Sequence, residues 1–244
     1  MIILNAGVPR SGTVLVNAIL RRILDAGGVT CDQFNPHGPE LPDLVHRLQQ
    51  SAMDRHKVSL IHTHSWDTDT AAMLKGSPFV VGFVNFRDPR DVCVSLMRLH
   101  DHDFQTAARM VLASFSAFEA TALDIDPMII PYELLIADRP GHIFQIARRL
   151  GFWPRLESIA RIDEATSVDR HRSIMQKVQT GAMEGLTRRR NTNRILAEDP
   201  KTLINDRHIQ SGATGRWRTE LSETERNAAN ERFSGLIRRF GYPD

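Results

Sequence analysis

The sequence predicts an α/β fold: a single domain with a central parallel β-sheet flanked by helices and a helical C-terminal cap. Three observations carry this. Strand-like and helix-like stretches alternate through residue 154, the pattern that builds a doubly wound parallel sheet. The stretch Phe79–Phe86 is almost wholly apolar, as a strand covered on both faces must be. A glycine-containing turn, Gly7 to Gly12, separates the first apolar run from the first helical pattern.

Residues 2–8 read as a short buried strand, because an apolar run of that length bounded by Gly and Pro is too brief for a core helix. From Thr13 the apolar positions Val14, Leu15, Ala18, Ile19, Ile23 and Leu24 recur at helical spacing until Gly27-Gly28 stops them. Cys31 to Pro42 holds three prolines and a glycine and reads as loop, followed by a short amphipathic helix over Asp43–Met53. Val58–His62 fits a second strand, Phe79–Phe86 a third, and Pro89–His100 the helix after it. Thr106–Leu123 fits a long helix, Met128–Pro131 a fourth strand, and Gly141–Leu150 a helix closed by Gly151. The core is therefore expected over 1–154, a polar cap or flap over 155–222 and a terminal helix over 223–244. Within the cap, helices fit Arg155–Ala165 and Val168–Val178, and residues 179–221 read as turns.

Composition narrows the class. With 244 residues, 41% hydrophobic and 25% charged, the chain suits one ordinary globular core. Lys plus Arg number 31 against 29 for Asp plus Glu, and the net charge of +2 gives no case for nucleic acid as a partner. Two cysteines, Cys31 and Cys93, imply no disulfide framework and a reducing, cytoplasmic setting. The apolar start Ile2-Ile3-Leu4 gives way at once to Pro9-Arg10, unlike a signal peptide, and no apolar run reaches the ~20 residues of a membrane span. Neither repeats nor metal-ligand spacings are evident.

The turn is where chemistry concentrates. A glycine loop leading from a strand into a helix aims free backbone N–H groups and the positive end of the helix dipole at one point, which suits phosphate or sulfate. Gly7 to Gly12 has the G-x-x-x-x-G frame of P-loop nucleotide-binding folds, but Thr13-Val14 stands where the usual Lys-Ser/Thr pair would be. Arg10 supplies a cation from inside the loop, and its fork can hold two anionic oxygens at once. Pro9, Arg10, Ser11, Gly12, Thr13 and Val14 form the expected cradle, with Ser11 and Thr13 adding hydroxyls.

With these segments in order, the chain resembles the nucleotide-dependent sulfotransferase family, whose donor is 3′-phosphoadenosine 5′-phosphosulfate (PAPS). Val8-Pro9-Arg10-Ser11-Gly12-Thr13 is similar to that family's 5′-phosphosulfate loop, with Arg10 at the place of the usual catalytic lysine, as in the tyrosylprotein branch. Phe86-Arg87-Asp88-Pro89-Arg90-Asp91-Val92-Cys93-Val94-Ser95 resembles the 3′-phosphate segment, which implies that Arg87 and Ser95 bind that phosphate. Leu60-Ile61-His62-Thr63-His64-Ser65 resembles the Lys-Thr-His segment, which makes His64 the implied base and puts His62 in place of the lysine. Gly212-Ala213-Thr214-Gly215-Arg216-Trp217-Arg218 is similar to the G-x-x-G-x-W-K closing segment, implying donor contacts from Gly212, Gly215 and Arg216. Its preceding basic pair is replaced by Gln210-Ser211, leaving backbone N–H groups, Arg207 or Arg216 to serve. Pro131-Tyr132-Glu133 resembles the Tyr-Glu segment, which places Tyr132 near the adenine.

The resemblance implies transfer of a sulfuryl group from PAPS to an acceptor hydroxyl or amine, without a metal. The acceptor class stays open among small molecules, glycans and lipids, as does the oligomeric state. Asp32, in a segment loosely similar to the acidic one of tyrosylprotein sulfotransferases, is the alternative base. A P-loop kinase of nucleosides or small molecules would share the loop but needs the missing magnesium hydroxyl, and a non-catalytic nucleotide-binding module remains the other alternative. Arg188-Arg189-Arg190 with Arg194 reads either as a solvated face or as a guide for an anionic acceptor.

Overall fold

The computed structural model describes residues 1–36, 40–51, 57–64, 68–119, 126–179, 187–191, 194–198 and 212–243. The chain opens with β1 (Ile2–Gly7), whose residues are all buried, and turns into α1 (Thr13–Ala26). Then β2 (Cys31–Phe34) and α2 (Glu40–Ser51) lead to β3 (Val58–Thr63) and α3 (Thr68–Leu74). Strand β4 (Val80–Phe86) passes into α4 (Pro89–His100), where the Asp88 carboxylate caps the helix by accepting from Arg90 N at 2.9 Å and Pro89 occupies the first turn. After α5 (Phe104–Glu119) come β5 (Met128–Pro131), α6 (Tyr132–Ala137) and α7 (Arg139–Arg149), the last capped by Asp138.

The remaining described elements are α8 (Leu156–Ala165), α9 (Val168–Gln179), the antiparallel pair β6 (Thr187–Asn191) and β7 (Arg194–Glu198), and α10 (Trp217–Glu220), α11 (Glu223–Arg232) and α12 (Ser234–Phe240). The main sheet has five parallel strands in the order β2-β3-β1-β4-β5. From β1 the chain first winds outward to β2 and β3, then crosses to β4 and β5 on the other side. Ligands of open parallel sheets collect at such a reversal, outside the carboxyl ends of the strands.

Side-chain alternation along β1 splits the core in two. Ile2, Leu4 and Ala6 face a cluster that includes Val84, Phe86, Val92, Phe115 and Phe233. Ile3 faces the opposite cluster with Ile19, Leu60, Phe83, Ile130 and Ile146. Helices therefore cover both faces, as the almost unbroken apolar sequence of β4 requires.

Three expectations are corrected. Cys31–Phe34 is a strand at the sheet edge rather than loop, paired in register from Cys31 opposite Val58 to Phe34 opposite Ile61. Part of the stretch expected as turns, 179–221, forms the β6–β7 pair and α10. The terminal helix breaks at Phe233 into α11 and α12, and Trp217, Ala229, Phe233 and Ile237 pack in the core cluster. The expected ends at Met53 and Leu123, and the segment Arg207 to Ser211, lie outside the described residues.

Candidate active site

Gly7 lies opposite Asn85 in the β1–β4 register, so the first turn emerges beside the exit of β4. The two backbones approach closely there, since a Cβ on Gly7 would lie 2.8 Å from the Asn85 carbonyl oxygen and 2.7 Å from Thr13 Oγ1. Val8 N donates to Asn85 O at 3.1 Å, and Asn85 Nδ2 donates to Asn5 Oδ1 at 2.7 Å. Asn5 in turn donates to Thr13 O at 2.9 Å, so a buried amide pair fixes the loop to the start of α1. Gly12 takes a left-handed φ of 87° and brings no side-chain cap, leaving the first N–H groups of α1 open to an anion.

Arg10 also sits in the left-handed region, at φ 68°, and its Nε donates to Ser95 Oγ at 2.9 Å. The loop is thereby joined to α4 across the cavity. Burial, followed by repulsion from Arg87 and Arg216, lowers the Arg10 guanidinium to about 10. Three converging cations held in a partly dry site are the electrostatic counterpart of a polyanionic ligand.

At the end of β4, Arg87 is 6% exposed and fixed on three sides. Its Nη2 donates to Asp91 Oδ2 at 3.1 Å and to Ala213 O at 2.6 Å, and its guanidinium lies 4.5 Å from the centre of the Tyr132 ring. Tyr132 opens α6 and donates from its hydroxyl to Gly212 O at 2.9 Å, while burial raises its phenol. Its ring also abuts the first turn, since a Cβ on Gly12 would meet Tyr132 Cδ2 at 2.5 Å. Arg216 is held by Glu220, with Nε to Oε1 at 2.7 Å.

These elements enclose a cavity of about 330 Å³, within the range of small-molecule sites. Arg10, Arg87, Arg216 and three histidines, His64, His100 and His171, line it, and among the described residues no carboxylate does. His64 follows β3, and its Nδ1 is 2.8 Å from Gly7 O. A carbonyl can only accept, so Nδ1 carries a proton, and in the neutral ring the basic nitrogen is Nε2. His62 lies behind it, with ring centres 5.1 Å apart and Nδ1 3.1 Å from Asn35 Oδ1. Among the described residues no group of three or more His, Cys, Asp or Glu could hold a metal ion.

With this geometry, comparison with solved structures covers nearly the whole chain. The structure of mouse sulfotransferase SULT7A1 complexed with PAP shares 19% sequence identity and superposes with a TM-score of 0.63, over 98% of this chain and 84% of that one. This is the sulfotransferase fold. Retinol dehydratase in complex with androsterone and the inactive cofactor PAP superposes with a TM-score of 0.60 at 16% identity, over 97% of this chain and 80% of that one. No protein-family model and no curated protein matches the sequence.

Within the sulfotransferase fold, eleven of the residues singled out from sequence line the one cavity. Pro9, Arg10, Gly12, Thr13 and Val14 come from the first turn and the start of α1, His64 from just after β3, Arg87 from the end of β4 and Ser95 from α4; Tyr132, Gly212 and Arg216 close it. Ser11, Gly215 and Asp32 do not line it. Ser11 turns inward, its Oγ 2.6 Å from Val8 O and 2.9 Å from Asn85 O, so the hydroxyl holds the loop's shape instead of facing a ligand. Gly215 points its N–H at Asp91. Asp32 is exposed on edge strand β2.

Sequence reasoning missed Leu15, Leu96, Leu99 and His100, and Thr166, Val168 and His171 around the α8–α9 junction. The first group carried a usable signal: Leu96, Leu99 and His100 follow Ser95 on the same turns of α4. Thr166, Val168 and His171 carried none. Val168 is placed by packing, its Cγ2 lying 3.2 Å from where a Gly212 Cβ would be.

Proposed function

We propose that the protein transfers a sulfuryl group from PAPS to the hydroxyl of a small acceptor. The observation that carries this is the convergence of Arg10, Arg87 and Arg216 on one cavity that also holds an uncapped helix N-terminus and a histidine of fixed tautomer. Arg10 and the first N–H groups of α1 hold the 5′-phosphosulfate end. Arg87, Ser95 and Arg216 hold the 3′-phosphate, and Tyr132 and Val168 flank the adenosine.

The acceptor oxygen attacks sulfur, the bond from sulfur to the bridging 5′-phosphate oxygen breaks, and the electron pair leaves on that oxygen. His64 Nε2 takes the acceptor proton while Arg10 neutralises the charge growing on the leaving oxygen. Leu15, Leu96 and Leu99 give the cavity apolar wall, which favours a compact apolar alcohol or phenol. The solved relatives include a retinol dehydratase in complex with androsterone, which is in keeping with that choice. Asp32, being exposed and off the cavity, is the weaker candidate for the base.

Calorimetry with PAP, the 3′,5′-bisphosphate left after transfer, tests the donor site without an acceptor. Tight metal-independent binding is expected. Binding of magnesium-ATP with none of PAP would overturn the proposal in favour of a kinase. His64→Ala should then abolish turnover of PAPS with an alcohol while Asp32→Ala retains it.

A further inference from the structure

Asp91 is a carboxylate placed behind an arginine that lines the cavity, where its charge opposes anion binding. It lies in the first turn of α4, is 2% exposed, and does not line the cavity. Its Oδ1 accepts from Trp217 N at 3.0 Å, and its Oδ2 accepts from Gly215 N at 2.8 Å and from Arg87 Nη2 at 3.1 Å. One side chain thus draws two backbone amides from the C-terminal segment and one guanidinium from β4 onto the same point. With Arg87 also bonded to Ala213 O, the segment Gly212–Trp217 is fastened to α4 at three places.

Arg87 is left with its Nε buried and without a partner in the protein. An orphaned buried donor on a guanidinium this well fixed is costly by itself. Arg87 nevertheless lines the cavity, and Asp91 is what fixes the side chain there. We propose that Asp91 is the positioning residue through which the chain selects nucleotides bearing a 3′-phosphate, by orienting Arg87 and the closing segment before the ligand arrives. This rests on the donor site described under the proposed function.

Asp91→Asn keeps the shape but removes the charge and turns one acceptor into a donor facing Arg87, Gly215 or Trp217. Calorimetry with PAP and with adenosine 5′-monophosphate, on wild type and variant, gives four affinities. The loss of charge-assisted bonds is expected to weaken PAP by about 10-fold or more and the monophosphate by less than about 2-fold, collapsing the ratio between them. A general loosening would weaken both alike, and an unchanged ratio overturns the inference while leaving the donor site standing. Wild type that fails to prefer PAP overturns the donor site as well. Should the variant not fold, hydrogen exchange on the nucleotide-free wild type decides: Gly215 and Trp217 amides should be as protected as those of α4, and free exchange at both refutes preorganisation.

Discussion

Replacing Arg10 with methionine should make the nucleotide-free protein more stable and the donor site useless, two effects of opposite sign from one change. The guanidinium is lowered from the ordinary arginine range to about 10, which corresponds to about 3 kcal/mol against its charged form. Solvent entering the part-open cavity screens this to roughly 2 kcal/mol. Methionine keeps the bulk and the strained backbone but forfeits the bond to Ser95, a loss of about 1 kcal/mol. The balance is a gain of about 1 kcal/mol, or about 2–4 °C in Tm for a chain of this length. At neutral pH both folded and unfolded states carry the charged arginine, so the whole penalty is present; it fades as pH rises past about 10, where the folded state sheds the proton first. Thermal melts of both proteins at neutral pH read the gain, and melts taken above about pH 10 should show it shrinking. Calorimetry should show PAP binding weakened by roughly 10- to 100-fold, the worth of a lost charged hydrogen-bonding group. A variant that melts lower than wild type yet binds PAP undiminished refutes the reasoning.

PAP at about 100 times its Kd should stabilise the wild type by about 2.7 kcal/mol; a melting temperature indifferent to PAP contradicts a three-arginine donor site. Its affinity should fall as pH climbs through about 10, where Arg10 discharges. Gly12→Ala puts a Cβ 2.5 Å from the Tyr132 ring at φ 87°, costing about 1–3 kcal/mol in backbone strain alone, so urea melts should shift down and PAP binding should suffer with them. Cys93 is buried and pushed up to about 12, and burial raises half-buried Cys31 as well; a thiol reagent at neutral pH should react slowly with one thiol before unfolding and with two after, and two fast reactions would show α4 opening.

The parts of the fold legible in the sequence are those where burial on both faces leaves one pattern available. Ile2–Gly7 and Val80–Phe86 are apolar almost without interruption, and Met128–Pro131 is bounded by turn residues on its N-terminal side, so all three strands stand out. Edge strand β2 does not, because one flank of Cys31–Phe34 is open to water and tolerates Asp32 and Gln33, while the prolines beyond it dominate the local pattern. Helix α6 is hidden for a related reason: six residues are too few for a period, and Pro131 in front suggests only a strand end. The candidate site was legible where function demands particular residues at strand ends, as with Arg10 and Arg87. Ser11 shows the limit. Its hydroxyl has a choice between cavity and core, and the Asn85 carbonyl from a strand 74 residues away decides it. His171 is likewise brought to the cavity by tertiary packing, on a helix whose local sequence does not mark it.

The protein has two tyrosines, and the fold puts them in very different places. Tyr132 leans on the first turn and bonds to the closing segment, whereas the half-buried Tyr242 packs against the core cluster that α11 and α12 complete. Biosynthetic incorporation of 3-fluorotyrosine would therefore give a two-line fluorine NMR spectrum. One line senses nucleotide arrival at the ring face, and the other serves as an internal standard that stays put unless the C-terminal helices come loose.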